Sequence, residues 1–283
     1  SITQDNAPLY IVDGFVQDDG LKSVDIADIE TIDVMKDASS TAIFGARGAN
    51  GVILITTKSG KKGKTQINYN GYVGSQKLGK KLDVLNPLQF ASLQYERHVL
   101  DGTVKDYESV YGTYDQMNEL YANRKGIDWQ NEMFGGSALS YNHNISMSTG
   151  TDKTKLNLSY TNTTENGILD KSGYYKNNLR FKLDHEINKR VRFNMSGSFL
   201  DIKKEGGGDL GGRLKYTILS RPTGGLLLTD DELLTAGISG DPINGYDKEY
   251  KIMNPIIAND ATTKTTYDRR FNINASLEVD LYK

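Results

Sequence analysis

The sequence predicts a mainly β protein in which a small α/β unit precedes antiparallel strands of the membrane-barrel kind. Three observations carry this. Segments of about ten residues alternate apolar and polar side chains, as a strand with one apolar and one wet face requires. The turns between them are short on one side and long on the other. Composition agrees, since the 283 residues include 29 glycines and 17 tyrosines but one tryptophan and 5 prolines, which suits many turns joining tyrosine-bearing strands.

The α/β unit comes first. Pro8 to Val16, PLYIVDGFV, reads as a strand that turns at Asp13-Gly14 and runs on into Phe15-Val16. In DIETIDVMKDASSTAIFGARGANGVILITTKSG, from Asp28 to Gly60, apolar Ile29, Ile32 and Val34 alternate with polar Glu30, Asp33 and Lys36, which suits a half-buried strand. Asp37, Ser39 and Ser40 are short capping side chains ahead of a single helical turn that Gly45 is expected to stop. Gly45, Gly48 and Gly51, with Asn50 before the last, supply positions where φ can be positive, and Asn-Gly is a hairpin signal. Val52 to Thr57 is a β-branched run suited to cover on both faces. A unit of about 60 residues is thin for an independent core and is expected to rest against or inside something.

A different kind of strand follows. Thr65 to Gln76 alternates Ile67, Tyr69, Gly71 and Val73 with Asn68, Asn70 and Tyr72. Residues 79–133 break the pattern. Asn86-Pro87 signals a helix start there, a second helical stretch is expected at about 114–123, and the excursion ends near Asp128-Trp129. Alternation then returns at Tyr141–Thr149, Leu156–Thr161, Tyr175–Asp184 and Val191–Phe199, and again at Arg269–Leu281. The region between the last two, about 204–267, reads as a long irregular loop, and loops of that length tend to be functional.

Strands of about 9 to 11 residues can cross lipid when every backbone group pairs with a neighbour. On that reading Tyr141, Tyr160, Tyr174 and Tyr175 form part of an interfacial girdle. Arg180, Lys182, Asp184, Arg192, Arg270, Glu278 and Asp280 then face the water-filled lumen, because they are costly against lipid. A soluble β-sandwich or adhesin domain also alternates and also uses polar turns, so it stands as the alternative. The asymmetry of turn lengths and the arginines and asparagines on one face argue against it.

Several function classes are excluded. A formal net charge of -2 gives no basic face for nucleic acid. With no cysteine there is neither a disulfide framework nor a thiolate metal site, and His98, His143 and His185 lack partners at ligand spacing. GARGANG has neither Walker nor dinucleotide-binding spacing and precedes a strand, so no phosphate loop is read. Asp18-Asp19 and Asp230-Asp231 are adjacent carboxylates in loops with no catalytic order and no EF-hand spacing. No catalytic residue, metal or cofactor is expected. Ser1–Asp5 carries no signal segment, as at a processed terminus or a cut.

PLYIVDG at Pro8–Gly14, followed by DIETIDVMKDASSTAIFGARGANGVILITTKSGKKG, resembles the plug of SusC/RagA-type TonB-dependent outer-membrane transporters of Bacteroidetes. The match is close over about the first 65 residues. Asp128-Trp129-Gln130 and the later strands resemble the family's early barrel more loosely. The resemblance implies residues 1–64 as the C-terminal part of a plug and 65–283 as the start of a barrel of about 22 strands, multi-pass in the outer membrane and surrounded by its lipids. It implies import of a glycan or oligopeptide driven by TonB, whose box lies outside these residues, with a SusD-like surface lipoprotein as partner. About six barrel strands do not close such a barrel, so the chain is expected to be a fragment. A non-transporting surface binding or adhesion domain is the alternative function.

Within a plug, Asp13, Gly14, Gly45, Gly48, Asn50 and Gly51 read as turn formers. Arg47, in the glycine-rich loop, is suited to pair with wall carboxylates such as Glu278 or Asp280. Lys36 and Asp37 are candidates for similar plug-to-wall contacts.

Overall fold

The computed structural model describes residues 7–17, 21–22, 24–37, 42–206, 210–239 and 252–281. The expected caps Ser39 and Ser40 and the Asp18-Asp19 pair lie outside them.

The first sheet has four strands in the order β2-β1-β4-β3, namely β1 Leu9–Val12, β2 Phe15–Gln17, β3 Ile29–Met35 and β4 Val52–Thr57. β1 and β2 close through Asp13 and Gly14, both at positive φ (50° and 87°), the geometry of a two-residue type I′ hairpin. β4 lies between β1, to which it is parallel, and β3, to which it is antiparallel. Its apolar run is therefore covered on both sides. Val52 packs with Leu9 and Ile11, and Ile55 packs with Val12 and Val24. A bulge between Ile29 and Thr31 shifts the phase of β3, which is why its alternation restarts at Ile32.

Gly45 stops the first helical turn as expected, at the non-helical φ 58° and ψ −148°, and a second short turn completes the 3-10 stretch Ala42–Gly48. One local expectation is corrected here. Asn50-Gly51 forms no two-residue hairpin, because the chain between β3 and β4 includes that stretch. Gly51, at φ 93°, instead turns the chain into β4.

The second sheet has six antiparallel strands in sequential order, β5 Gly63–Gln76, β6 Ala138–Gly150, β7 Thr154–Asn166, β8 Gly173–Asn188, β9 Val191–Glu205 and β10 Thr265–Val279. Its register sorts the faces. Tyr69, Ile145, Tyr160, Leu179, Phe199 and Phe271 form one continuous cross-strand row, and all six are exposed on the outer face. The next row, Asn70, Asn144, Thr161, Asn178, Leu200 and Arg270, lies on the face that receives the first sheet. An outer row that is apolar beside an inner row that is polar but for Leu200 reverses the soluble pattern, and suits a strand layer with lipid outside. Among the described residues no helix is long and apolar enough to cross a membrane. Tyr174 shares the inner face with Lys176 and Asn178, so of the adjacent pair only Tyr175 fits an outer girdle.

The connections on the short side are 151–153 and 189–190, and the two long ones, 77–137 and 206–264, meet at the opposite end. The first long connection holds α1 Pro87–Asp101, α2 Val104–Tyr111, α3 Met117–Tyr121 and α4 Trp129–Phe134. Asn86 caps α1 in a reciprocal box with Gln89, and Gly102 ends it at φ 70°. α2 was not expected. Its eight residues are too few for periodicity to declare, and they are held by burial of Tyr107, Val110 and Tyr111 against Ala91, Met117 and Tyr121.

The second long connection is not the irregular loop the sequence suggested. It contains α5 Leu210–Leu219, α6 Asp230–Thr235 and α7 Pro255–Ala261, with Thr229–Glu232 and Asn254-Pro255 supplying the caps. The two connections are tied to each other. Arg124 forms a two-pronged ion pair with Asp230 (2.8 and 3.1 Å), Trp129 Nε1 donates to the Arg221 carbonyl at 2.9 Å, and Leu226 N donates to Val110 O at 2.7 Å.

Candidate functional site

The small sheet is fastened to the wall through the β1–β2 turn. Parallel pairing of β1 with β4 brings Asp13 beside Thr57, whose N–H and hydroxyl donate to the two Asp13 carboxylate oxygens at 3.0 and 2.6 Å. On β8, Arg180 and Lys182 stand two residues apart and therefore on one face. Arg180 Nη2 donates to Asp13 Oδ2 at 2.9 Å and Lys182 Nζ to Oδ1 at 3.0 Å, and Lys182 also reaches the Thr57 carbonyl at 3.2 Å. The side chains are 6%, 10% and 16% exposed for Asp13, Arg180 and Lys182. Burial pushes the Asp13 carboxyl up, but the Thr57 hydrogen bonds and the Lys182 charge together hold it below the ordinary carboxylate value.

A second acid approaches the same arginine. Asp28, buried in the 3-10 turn Ile26–Asp28, meets the wall near Ser159, Asn144 and Arg180. Burial raises its pKa, and hydrogen bonds from Ser159 and Asn144 with the Arg180 charge only partly offset that. Arg180 thus stands between a carboxyl whose pKa is lowered and one whose pKa is raised. Its Nε is buried without a partner. Neighbouring inner-face groups are satisfied across strands, Asn144 Nδ2 donating to Thr161 at 2.7 Å and Asn142 Nδ2 to Thr163 at 2.8 Å.

The segment after β4 is held separately. Lys61 N donates to Ser148 Oγ at 2.9 Å, and Lys62 pairs with Asp152 in the β6–β7 turn. Gly60 passes so close to the wall that a methyl group on it would clash with the Leu156 amide nitrogen. A polar cleft between the sheets opens beside the Asp13 contact, with Gly14, Phe15 and Ser59 on one side and Asp184, Asn194 and Glu278 on the other.

The residues singled out in the sequence fall in several places. Asp13 and Gly14 form the expected turn, and Asp13 also bears the carboxylate that docks it, a role the sequence reading did not assign. Arg180 and Lys182 meet at that carboxylate, and Asp184 lines the cleft. Arg192 lies against Glu278 at 3.3 Å and Asp280 at 3.6 Å, and Arg270 pairs with Asp268 at 2.8 Å. Lys36, Asp37 and Arg47 are exposed, away from this contact. Gly48 O accepts from Gly51 N at 3.0 Å, and Asn50 donates to the Ala7 carbonyl at 3.5 Å. Asp28, Thr57, Asn144 and Ser159 were missed. They are small polar side chains whose partners lie on other strands, and nothing local marks them.

A four-stranded unit docked on the inner face of a barrel-type wall has the fold of a plug set against the first strands of a barrel. Residues 2–52 match the family model described as TonB-dependent Receptor Plug Domain. The chain is 32% identical over 234 residues to the TonB-dependent receptor SusC of Bacteroides thetaiotaomicron, covering 76% of this chain and 21% of the relative. It is 29% identical over 198 residues to the TonB-dependent receptor P3 of Formosa agariphila, covering 69% of this chain and 17% of the relative. Among solved structures, the RagAB peptide transporter matches with TM-score 0.72 at 22% identity, over 99% of this chain and 33% of that chain. RagAB in the open-open state matches with TM-score 0.70 at 22% identity, over 98% of this chain and 33% of that one. Over its plug and first wall strands the chain is similar to SusC/RagA-type TonB-dependent receptors. It spans about a fifth of the length of the curated relatives it matches.

Proposed function

We propose that this chain supplies the plug and the first wall strands of an outer-membrane transporter that imports a large nutrient, a glycan or an oligopeptide. TonB displaces the plug, and a SusD-like lipoprotein works with the barrel at the outer surface. The observation that carries the reading is the buried contact of Asp13 with Arg180 and Lys182. It fastens the plug to the wall through side chains rather than through shared β-sheet pairing, so it can break and re-form without unravelling a sheet. The rows of the wall support the membrane setting, because the exposed row is apolar and the inner row is polar but for Leu200. The pairing of a SusC relative with the RagAB folds supports the lipoprotein partner.

The test is growth on candidate glycans and peptides as sole nutrient, using a strain lacking the full-length gene and complemented with it. Growth that depends on the gene, and on energy supply through TonB, supports import. Unchanged growth on every nutrient that the neighbouring genes degrade, with the protein present only as a surface binder, would contradict it.

A further inference from the structure

Between the two long connections lies a cavity of about 650 Å³, bounded by α1, α4 and the segment Thr217–Pro222. That size is typical of small-molecule sites. Phe90, Leu93, Trp129 and Ile218 give it apolar walls. Charge is placed unevenly on them, with Arg97 and Arg221 against the single acid Asp83. Arg221 is the informative one. It is 3% exposed, its Nε and Nη1 have no hydrogen-bond partner, and no ion pair joins it among the described residues. Its backbone is fixed, the carbonyl by Trp129 Nε1 at 2.9 Å and the N–H by the Ser239 carbonyl at 3.3 Å. A desolvated guanidinium without a counter-charge is unfavourable, and an anion brought beside it recovers what desolvation lost.

We propose that this cavity binds a small carboxylate carried on an apolar body. The carboxylate answers the Arg221 charge, and the body fills the space between Phe90, Leu93 and Trp129. An amine meets the wrong sign of charge, and a free inorganic anion leaves the apolar walls unfilled. The same chemistry is offered by a fatty acid and by the C-terminus of an apolar peptide. Binding here does not depend on plug release, because the cavity lies within the long connections and the Asp13 contact does not.

The experiment uses the full-length protein in amphipol, titrated calorimetrically at neutral pH with octanoate and with N-acetylphenylalanine, each against its neutral amide. At least one acid is expected to bind about tenfold or more tightly than its amide. Which acid binds separates the lipid from the peptide source. Arg221→Met is expected to bring acid and amide within about twofold of each other, and to melt no lower than the parent because it removes an unpaired buried charge. Leu93→Trp, at a half-exposed position on the wall, is expected to weaken both ligands by filling the space. Absence of acid binding, equal binding of acid and amide, or an acid preference that survives Arg221→Met would overturn the proposal. The acid-to-amide comparison on the unmodified protein decides the matter even if a variant fails to fold.

Discussion

Replacing Asp13 by alanine leaves Arg180 and Lys182 facing a plug surface without its carboxylate. All three side chains are mostly buried, at 6%, 10% and 16% exposed, so solvent screening offers little relief. Breaking a buried pair by removing one partner costs about 3–5 kcal/mol. Asp13 serves two cations and two Thr57 donors, which places the expected loss in the upper half of that range. In equilibrium terms the docked plug is weakened by about three to nearly four powers of ten. Hydrogen exchange of the β1 and β4 amides, measured on the full-length protein in detergent, reads this as faster opening of the plug. Exchange within about threefold of the parent would refute the reasoning. A control separates lost pairing from general damage, because Asp13→Leu combined with Arg180→Met, Lys182→Met and Asp28→Asn removes the three charges of that contact and the neighbouring buried acid, and is expected to recover most of the protection.

Other predictions follow from the same contacts. Asp28 has a raised carboxyl pKa, so its ionisation weakens the docked state as pH rises through the ordinary carboxylate range, while Asp13, with a lowered value, stabilises above that range and loses its effect only as pH falls below it. Asp28→Asn is therefore expected to strengthen docking at neutral pH, read by exchange of the plug amides, and no gain would contradict it. Gly60→Ala places a methyl group into the Leu156 backbone and is expected to cost about 1–3 kcal/mol, seen as easier proteolysis at Lys61 and Lys62. Arg124→Ala removes the two-pronged pair with Asp230 and is expected to loosen the helical connections by about 1–3 kcal/mol, with the wall strands unaffected in amide exchange. Burial pushes the Tyr121 phenol up to about 12, so the folded form holds this proton more tightly than the unfolded chain. Its contribution is present below about pH 10 and is lost as pH rises toward 12, which alkaline unfolding followed by tyrosine absorbance would check.

Much of this architecture was legible in the residues. The alternating segments announced the six wall strands because a strand with lipid on one side and water on the other must repeat every two residues. Asp13-Gly14 declared its turn because few other pairs tolerate positive φ twice. The helices of the second long connection escaped because they are short and are held by contacts with the first, such as Arg124 with Asp230, rather than by their own periodicity. The docking contact escaped for a related reason. Arg180 and Lys182 were legible as inner-face cations from strand parity alone, but the carboxylate that meets them is 167 and 169 residues away in the chain. Arg47 drew attention through its glycine-rich surroundings, whereas Asp13 was hidden by looking like an ordinary turn residue.

The most direct test asks whether this plug must leave this wall for transport. Ser59 and Asp184 line the same cleft on opposite sides without taking part in the Asp13 contact, and the chain has no cysteine of its own. Cysteines at these two positions of the full-length protein, bridged in cells by a reducible bifunctional thiol reagent, tie plug to wall. Uptake of the nutrient identified by growth is expected to stop on bridging and to return on reduction, with each single-cysteine protein unaffected. Uptake that continues at the unbridged rate in fully bridged protein would contradict plug displacement as the opening step.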